Sequence, residues 1–282
     1  MNWFKKNLKP SWIFRSGLKI WRLLPALQMG SSTGGVLAVE LRDTEKKTTE
    51  FAGIDLNTGA LLWKGNPLDD KWWITVNKIQ GDVLFLQQFA RPDMPTPDKI
   101  FALDLLKGEL LWQNQELSFI NISGDSLYGL RKTFRSEEVV ELNYRTGGEI
   151  KRFSVDDPRM LEITNDENES GHDALANSFI VPDFVEEFNE TANLRKLVPS
   201  RAINPNVIKL SDKEIIGYHL DAGKDEKGIP VYDACIAIVD ARRKIFEDVA
   251  DRKVYSALQD FFFVVGNRLI YVRNSDEIVA VA

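Results

Sequence analysis

Short apolar runs alternate with polar turns along the whole chain, and one such pair recurs in register. Lys99 to Trp112 (KIFALDLLKGELLW) reads as an apolar strand, a turn carrying Gly108, and a second strand ending in Trp112. Phe51 to Trp63 (FAGIDLNTGALLW) repeats it, with Asp55, Gly59 and Trp63 where Asp104, Gly108 and Trp112 stand. A fainter copy runs from Val139 to Lys151 with Asn143 and Gly147 in place and the Trp lost. Another runs from Cys235 to Phe246 with a tightened turn. Ahead of these pairs lie further apolar hairpins: Trp72 to Phe89 turning at Gly81-Asp82, Leu117 to Lys132 turning at Gly124-Asp125, and Val207 to Leu220 turning at Ser211-Asp212. Gly-Asp and Thr-Gly supply the positive φ that tight hairpins demand. Each unit is therefore a meander of four short antiparallel strands, and repetition at this period predicts a propeller or solenoid.

The chain ends on Ile278 to Ala282, which reads like Phe101-Ala102-Leu103 but has no Gly-x-x-x-Trp after it. That spacing stands instead near the other terminus, from Gly17 to Trp21. An N-terminal strand completing the last sheet would close the repeats into a ring and remove the exposed strand edges of an open array. The expected architecture is all-β: a β-propeller of four-stranded antiparallel blades, five in number plus an inserted segment. The interval between Lys151 and Phe246 is about two repeats long, so six blades is the alternative. Within the insert, 154–200, Phe184 to Leu197 spaces its apolar residues as a short amphipathic helix does. The whole, 1–282, reads as a single domain, with 1–10 a flexible basic N-terminus.

The hairpin at Phe51 to Trp63 and Lys99 to Trp112 resembles the quinoprotein-like (PQQ-like) β-propeller repeat, whose usual form is ALD-x-x-TG-x-LLW. As a whole the chain also resembles an uncharacterised bacterial family that carries only a domain-of-unknown-function label. The first resemblance implies a fold and not a cofactor: quinoprotein dehydrogenases look like larger, exported, eight-bladed enzymes with a vicinal Cys pair, and this chain has one cysteine. No cofactor is expected.

Composition narrows the chemistry. Runs such as Phe261 to Val265 suit strands covered on both faces, and 44% hydrophobic residues suffice to fill the interfaces between blades. Two histidines and a single cysteine leave no three-His zinc site and no intramolecular disulfide, and a Cys/His zinc site would have one cysteine to draw on. Asp166-x-Asn168-x-Ser170-Gly171 starts like a calcium loop, but Asn177 stands where a bidentate Glu is needed, so no metal is expected. The net charge of −6, with both signs interspersed, argues against nucleic acid. No run approaches the ~20 apolar residues of a membrane span. Lys5 and Lys6 lead into no uninterrupted apolar stretch, so a secretory leader is not expected and the protein is placed in the cytoplasm. The basic, aromatic first residues read as an end leading into a strand rather than as a membrane anchor.

In a four-stranded meander the connections alternate between two ends. The tight turns fall at one end, while the longer connections Arg42 to Glu50, Ala90 to Asp98, Ala222 to Pro230 and the insert fall at the other. Long connections carry function more often than short ones. The expected function is a non-catalytic scaffold or binding protein that engages a protein or small ligand on this long-loop face, with Trp72, Trp73, Arg91 and Asp93 as its binding residues. No catalytic residue is assigned. The alternative is a carboxylate-dependent, glycosidase-like hydrolase with its acids at the mouth of the channel. Buried or proton-holding acids would favour the hydrolase, and an aromatic patch the binder.

Overall fold

The computed structural model describes residues 8–27, 34–91, 94–133, 136–164, 179–184, 198–240, 243–258 and 261–282. It is all-β apart from a short helix at residues 159–164, and its sheets are antiparallel meanders of the β-propeller class. The chain opens with strand β1 (Pro10–Arg15) and divides into two compact units, Leu18–Ser178 and the described part of Met1–Gly17 with Phe179–Ala282.

The Leu18–Ser178 unit holds three four-stranded sheets in sequence order. They are β2 (Lys19–Leu27), β3 (Gly35–Asp43), β4 (Thr48–Asp55) and β5 (Leu61–Gly65); then β6 (Ile74–Gln80), β7 (Val83–Arg91), β8 (Met94–Asp104) and β9 (Leu110–Asn114); then β10 (Ser118–Ser123), β11 (Ser126–Lys132), β12 (Glu137–Asn143) and β13 (Glu149–Ser154). The core lies between consecutive sheets. Val36, Ala38 and Phe51 pack on Ile74, Leu84 and Leu86, while Val83, Phe85 and Ile100 pack on Leu127, Val140 and Leu142. Inner strands are covered on both faces, which is why their sequences are continuous apolar runs rather than alternating ones.

The repeated motif is an interlock between sheets. Asp55, Asp104 and Asn143 each accept two following backbone N–H groups at Oδ1, and Gly59, Gly108 and Gly147 then take φ near +70° (71°, 70° and 68°). The Trp63 indole of the first sheet lies over Gly108 in the second and donates Nε1–H to the Leu105 carbonyl at 2.8 Å. Trp112 repeats this on Gly147, donating to the Tyr144 carbonyl at 3.0 Å. A side chain on either glycine would collide with the ring, since a Cβ at Gly108 would stand 2.3 Å from Trp63.

The other unit holds two sheets, each with a fifth strand supplied by the insert. One runs β15 (Asp183–Phe184), β16 (Ile203–Lys209), β17 (Lys213–Lys224), β18 (Pro230–Asp240), β19 (Arg243–Val254). The other runs β14 (Phe179–Ile180), β20 (Phe262–Val265), β21 (Arg268–Arg273), β22 (Glu277–Val281), β1. All four residues of β20 are buried. Residues 179–184 thus pair with the first strands of both sheets and cover edges that would otherwise present unpaired N–H and C=O groups.

Three expectations are corrected by this topology. The strand that completes the last sheet is Pro10–Arg15, not the Gly17–Trp21 stretch: Trp12 faces Ala280, as Trp63 faces Gly53 and Trp112 faces Ala102. Its strand arrives from the far end of the chain, so no turn joins it to β22 and no Gly-x-x-x-Trp spacing is needed. Lys19–Leu27 instead begins the first sheet of the other unit. The long connections are prolonged hairpins: the pairing runs on to Asp43↔Thr48, Arg91↔Met94 and Lys224↔Pro230. Asp43 and Asp225 carboxylates close two of these turns by accepting backbone N–H groups. Phe184 lies in a strand rather than at the start of a helix, held by the β16 ladder, and 185–197 fall outside the described residues. The calcium-like loop at 166–177 is outside them too.

Trp12 is 9% exposed and Trp21 48%. Trp12→Ala is expected to cost about 3 kcal/mol as a large-to-small core substitution, whereas Trp21→Ala is expected to cost less than about 1 kcal/mol. Urea midpoints of the two variants, at unchanged m-value, check the assignment.

Candidate binding surface

The most elaborated side-chain cluster forms where the first two sheets of the Leu18–Ser178 unit meet. Its foundation is Glu40, a carboxylate in the apolar β3 run VLAVELRD with no solvent exposure. A buried charge requires partners on every side. Glu40 Oε2 accepts from the Thr75 hydroxyl at 2.6 Å and the Val76 amide at 3.0 Å, and Oε1 accepts from Arg42 Nε at 2.7 Å. Arg42 Nη2 also donates to the Ile74 carbonyl at 3.2 Å, so the pair ties the first sheet to β6.

With its edge fixed in this way, the Arg42 guanidinium is stacked between two indoles, 4.9 Å from the ring centre of Trp21 and 4.9 Å from that of Trp72. Trp73 meets Trp72 edge to face at 6.3 Å. Trp21 reaches this position because it is the extra residue of a β-bulge: Ile20 pairs with Leu41 and Arg22 with Glu40, leaving Trp21 unpaired between them. Trp72 and Trp73 are held by their backbone. Asp70 Oδ1 accepts both of their amides, Asp70 Oδ2 accepts from Gln88, and the Trp73 carbonyl accepts from Phe89. Asn66 caps the same connection through Leu68, Thr49 and Asp70. Trp21 (48% exposed) and Trp73 (38% exposed) are thereby presented to solvent on a preorganised frame.

Of the four residues expected to bind, the structure brings Trp72 and Trp73 together here. Arg91 ends β7 in a pair with Met94, so it belongs to a hairpin arm, and Asp93 lies outside the described residues. Trp21, Arg42 and Glu40 were not expected. The signal for the pair was a Glu-x-Arg at the end of an otherwise apolar strand; for Trp21 there was none, because a bulge leaves no mark in hydrophobic periodicity.

Other reactive groups are committed elsewhere. His219 is buried, its Nε2 accepts the Leu258 amide at 2.9 Å, and its ring meets Phe261. Burial holds its titration below the usual histidine range, the Asn204 backbone opposing this to a smaller extent. Cys235 is buried, and burial pushes its thiol up to about 11. In the other unit a cavity of about 450 Å³ is lined by Lys244, Glu247, Asp248 and Arg273 beside Phe246 and Pro10. Its acids are neutralised: Asp248 accepts from Arg273 and Tyr271, and Glu247 from Lys244 and Tyr218. At Glu247 burial works upward, but Lys244 and Tyr218 outweigh it and the carboxyl titrates low. Every displaced carboxylate among the described residues moves down, Asp157 to about 2 under the Arg159 guanidinium. No group of three metal-ligating side chains is assembled among the described residues, and no helix there is long and apolar enough to cross a membrane.

A family model described as a domain of unknown function (DUF4905) matches residues 31–112, which span the whole of this cluster apart from Trp21. No curated protein matches the chain. Among solved structures the chain is similar to BamB from Moraxella catarrhalis, at 10% identity over 97% of each chain with a TM-score of 0.33. It is also similar to the quinohemoprotein alcohol dehydrogenase ADHIIG from Pseudomonas putida HK5, at 11% identity over 100% of this chain and 45% of that one, TM-score 0.33. A third is the β-propeller domain of the Trilobed protease from Pyrococcus furiosus, at 10% identity over 91% and 63%, TM-score 0.30. The chain spans less than two thirds of the last two.

Arg42→Ala removes one partner of a buried ion pair and is expected to cost about 3–5 kcal/mol, read as a fall in the urea midpoint. The His219 titration gives a second outcome. Its folded value is depressed below the ordinary 6.5, so its contribution is complete above that pH and is lost as the pH falls through the folded value. Unfolding free energy measured between pH 7 and about pH 5, above the range where ordinary carboxylates titrate, should fall for the wild type and stay flatter for His219→Gln.

Proposed function

We propose that this chain is a non-catalytic binding protein whose recognition surface is the Trp21, Trp72 and Trp73 cluster around Arg42. The observation that carries this reading is the exposure of Trp21 and Trp73 on a frame fixed by the buried Glu40 through Arg42 and by the Asp70 cap. Exposed indoles cost solvation, and proteins seldom position them rigidly without a partner to cover them. Trp and Arg are also the side chains that most often dominate binding energy: Trp brings a large rigid contact area, and Arg42 is already held in place by Glu40 and the Ile74 carbonyl.

A hydrolytic reading has less support. Glycoside cleavage needs one carboxylic acid that keeps its proton near neutral pH, opposed by an ionised one. The displaced carboxylates all titrate low and sit in ion pairs, which suits folding and leaves none of them as a proton donor. A cytoplasmic setting belongs to the proposal and is supported by the single cysteine, which permits no intramolecular disulfide.

The test is affinity capture from native lysate with wild type and a Trp21→Ala/Trp73→Ala variant of unchanged circular dichroism. A partner retained by the wild type and lost by the variant is expected. Identical captured sets, or turnover of a glycoside panel by both proteins, would overturn the reading.

A further inference from the structure

Resting on that binding reading, we infer that the surface takes an acidic segment of a partner protein, one that places an aromatic or aliphatic side chain on the indoles and carboxylates beside them. The argument comes from how the cations around the cluster are satisfied. Lys19 Nζ stands 5.5 Å over the Trp21 ring. Arg22 Nη1 donates to the Val76 carbonyl at 3.3 Å, and Lys71 Nζ donates to the Leu68 and Asn66 carbonyls at 2.5 and 3.3 Å. None of these three meets a carboxylate among the described residues. Arg42 meets one, but that one is the buried Glu40, and its Nη1 has no protein acceptor among the described residues.

Several cations away from the cluster do meet carboxylates. Arg15 and Arg273 share Glu277, Arg145 meets Asp82, Arg152 meets Glu149, and Lys151 meets Glu141. The acids adjoining the indoles do not restore the balance. Asp70 accepts the Trp72 and Trp73 amides and Gln88 while keeping its charge, and Asp69 beside it is exposed. Lys19, Arg22, Lys71 and Arg42 thus stand against Glu40, Asp69 and Asp70, which leaves a small local positive field around exposed aromatic rings in a chain of net charge −6. Such a field draws in an acidic partner and repels a basic one, and the rings supply the apolar contact that charge alone lacks.

The same features favour a short acidic peptide over a nucleic acid. A polyanion needs a track of cations along its backbone, with affinity growing for each phosphate neutralised. Here the cations form one compact group, and the surrounding negative chain opposes a long polyanion.

The experiment selects random peptides displayed on phage against the full-length wild type and counter-selects on the Trp21→Ala/Trp73→Ala variant, with oligo(dT) titrated separately by fluorescence polarisation. Peptides enriched in Asp and Glu next to Phe, Trp or Leu are expected. The best of them, synthesised with a fluorescent label, should bind about tenfold more weakly to a Lys19→Glu/Arg22→Glu variant, and more weakly as salt is raised. Both exchanged side chains are exposed, so the fold should persist, with circular dichroism as its check. Enrichment of neutral or basic peptides, or affinity unchanged by charge reversal, would overturn the acidic class while leaving the aromatic surface as a binding site. Absence of any Trp-dependent peptide would overturn both. Tighter binding of oligo(dT) than of the selected peptides would overturn the peptide assignment in favour of nucleic acid.

Discussion

Within the Leu18–Ser178 unit, the structure depends on one contact made twice: an indole on the last strand of one sheet laid over the glycine turn of the next. It satisfies a buried carbonyl, fills the space above a residue that has no side chain, and fixes the spacing of adjacent sheets. Each part requires the others. The turn needs an Asp or Asn to gather its amides and a glycine to adopt positive φ, and the indole can approach only because that glycine has no Cβ. The strand opposite the Trp obeys the same constraint, with Gly53 facing Trp63 and Ala102 facing Trp112. Where the Trp is absent the facing residue enlarges: Glu141 pairs with Lys151 and forms an ion pair with it, and Ile238 faces Phe246.

Because these interlocks hold the sheets, the strands near β6 are free to carry something that packing alone does not demand. A carboxylate at full burial in β3 brings no net stability compared with an apolar residue of its size. What it supplies is position: Glu40 gathers Arg42, Thr75 and Val76, and so sets the guanidinium between two indoles that neither sheet would orient by itself. The bulge at Trp21 and the Asp70 cap over Trp72 and Trp73 act in the same sense, each trading a ladder bond or a regular turn for a directed side chain.

How far the sequence could be read follows from the range of the forces involved. Hydrophobic alternation, turn glycines and the repeated Asp-to-Gly-to-Trp spacing are local, and they determined the repeated hairpins, their meander order and the fold class from sequence alone. They also drew attention to Trp72 and Trp73, because paired tryptophans after an acidic connection stand out in one dimension, and the two rings meet in the structure. What depended on pairing between distant segments was not available. Trp12 rather than Trp21 takes the Trp position of the last sheet because register with β22 decides it, although the Gly17-to-Trp21 spacing in the chain pointed to Trp21. Pairing runs on into the apparent loops as far as Asp43↔Thr48, Arg91↔Met94 and Lys224↔Pro230, which prolines and charges in the sequence concealed. Arg42 and Glu40 gained meaning only when Trp21 and Trp72, well apart in the chain, met around them. Sequence determined the repeated hairpins and the fold class, since those choices are made over a few residues. Tertiary structure alone decided which side chains converge, since a bulge and a buried charge act through partners that the chain brings together only on folding.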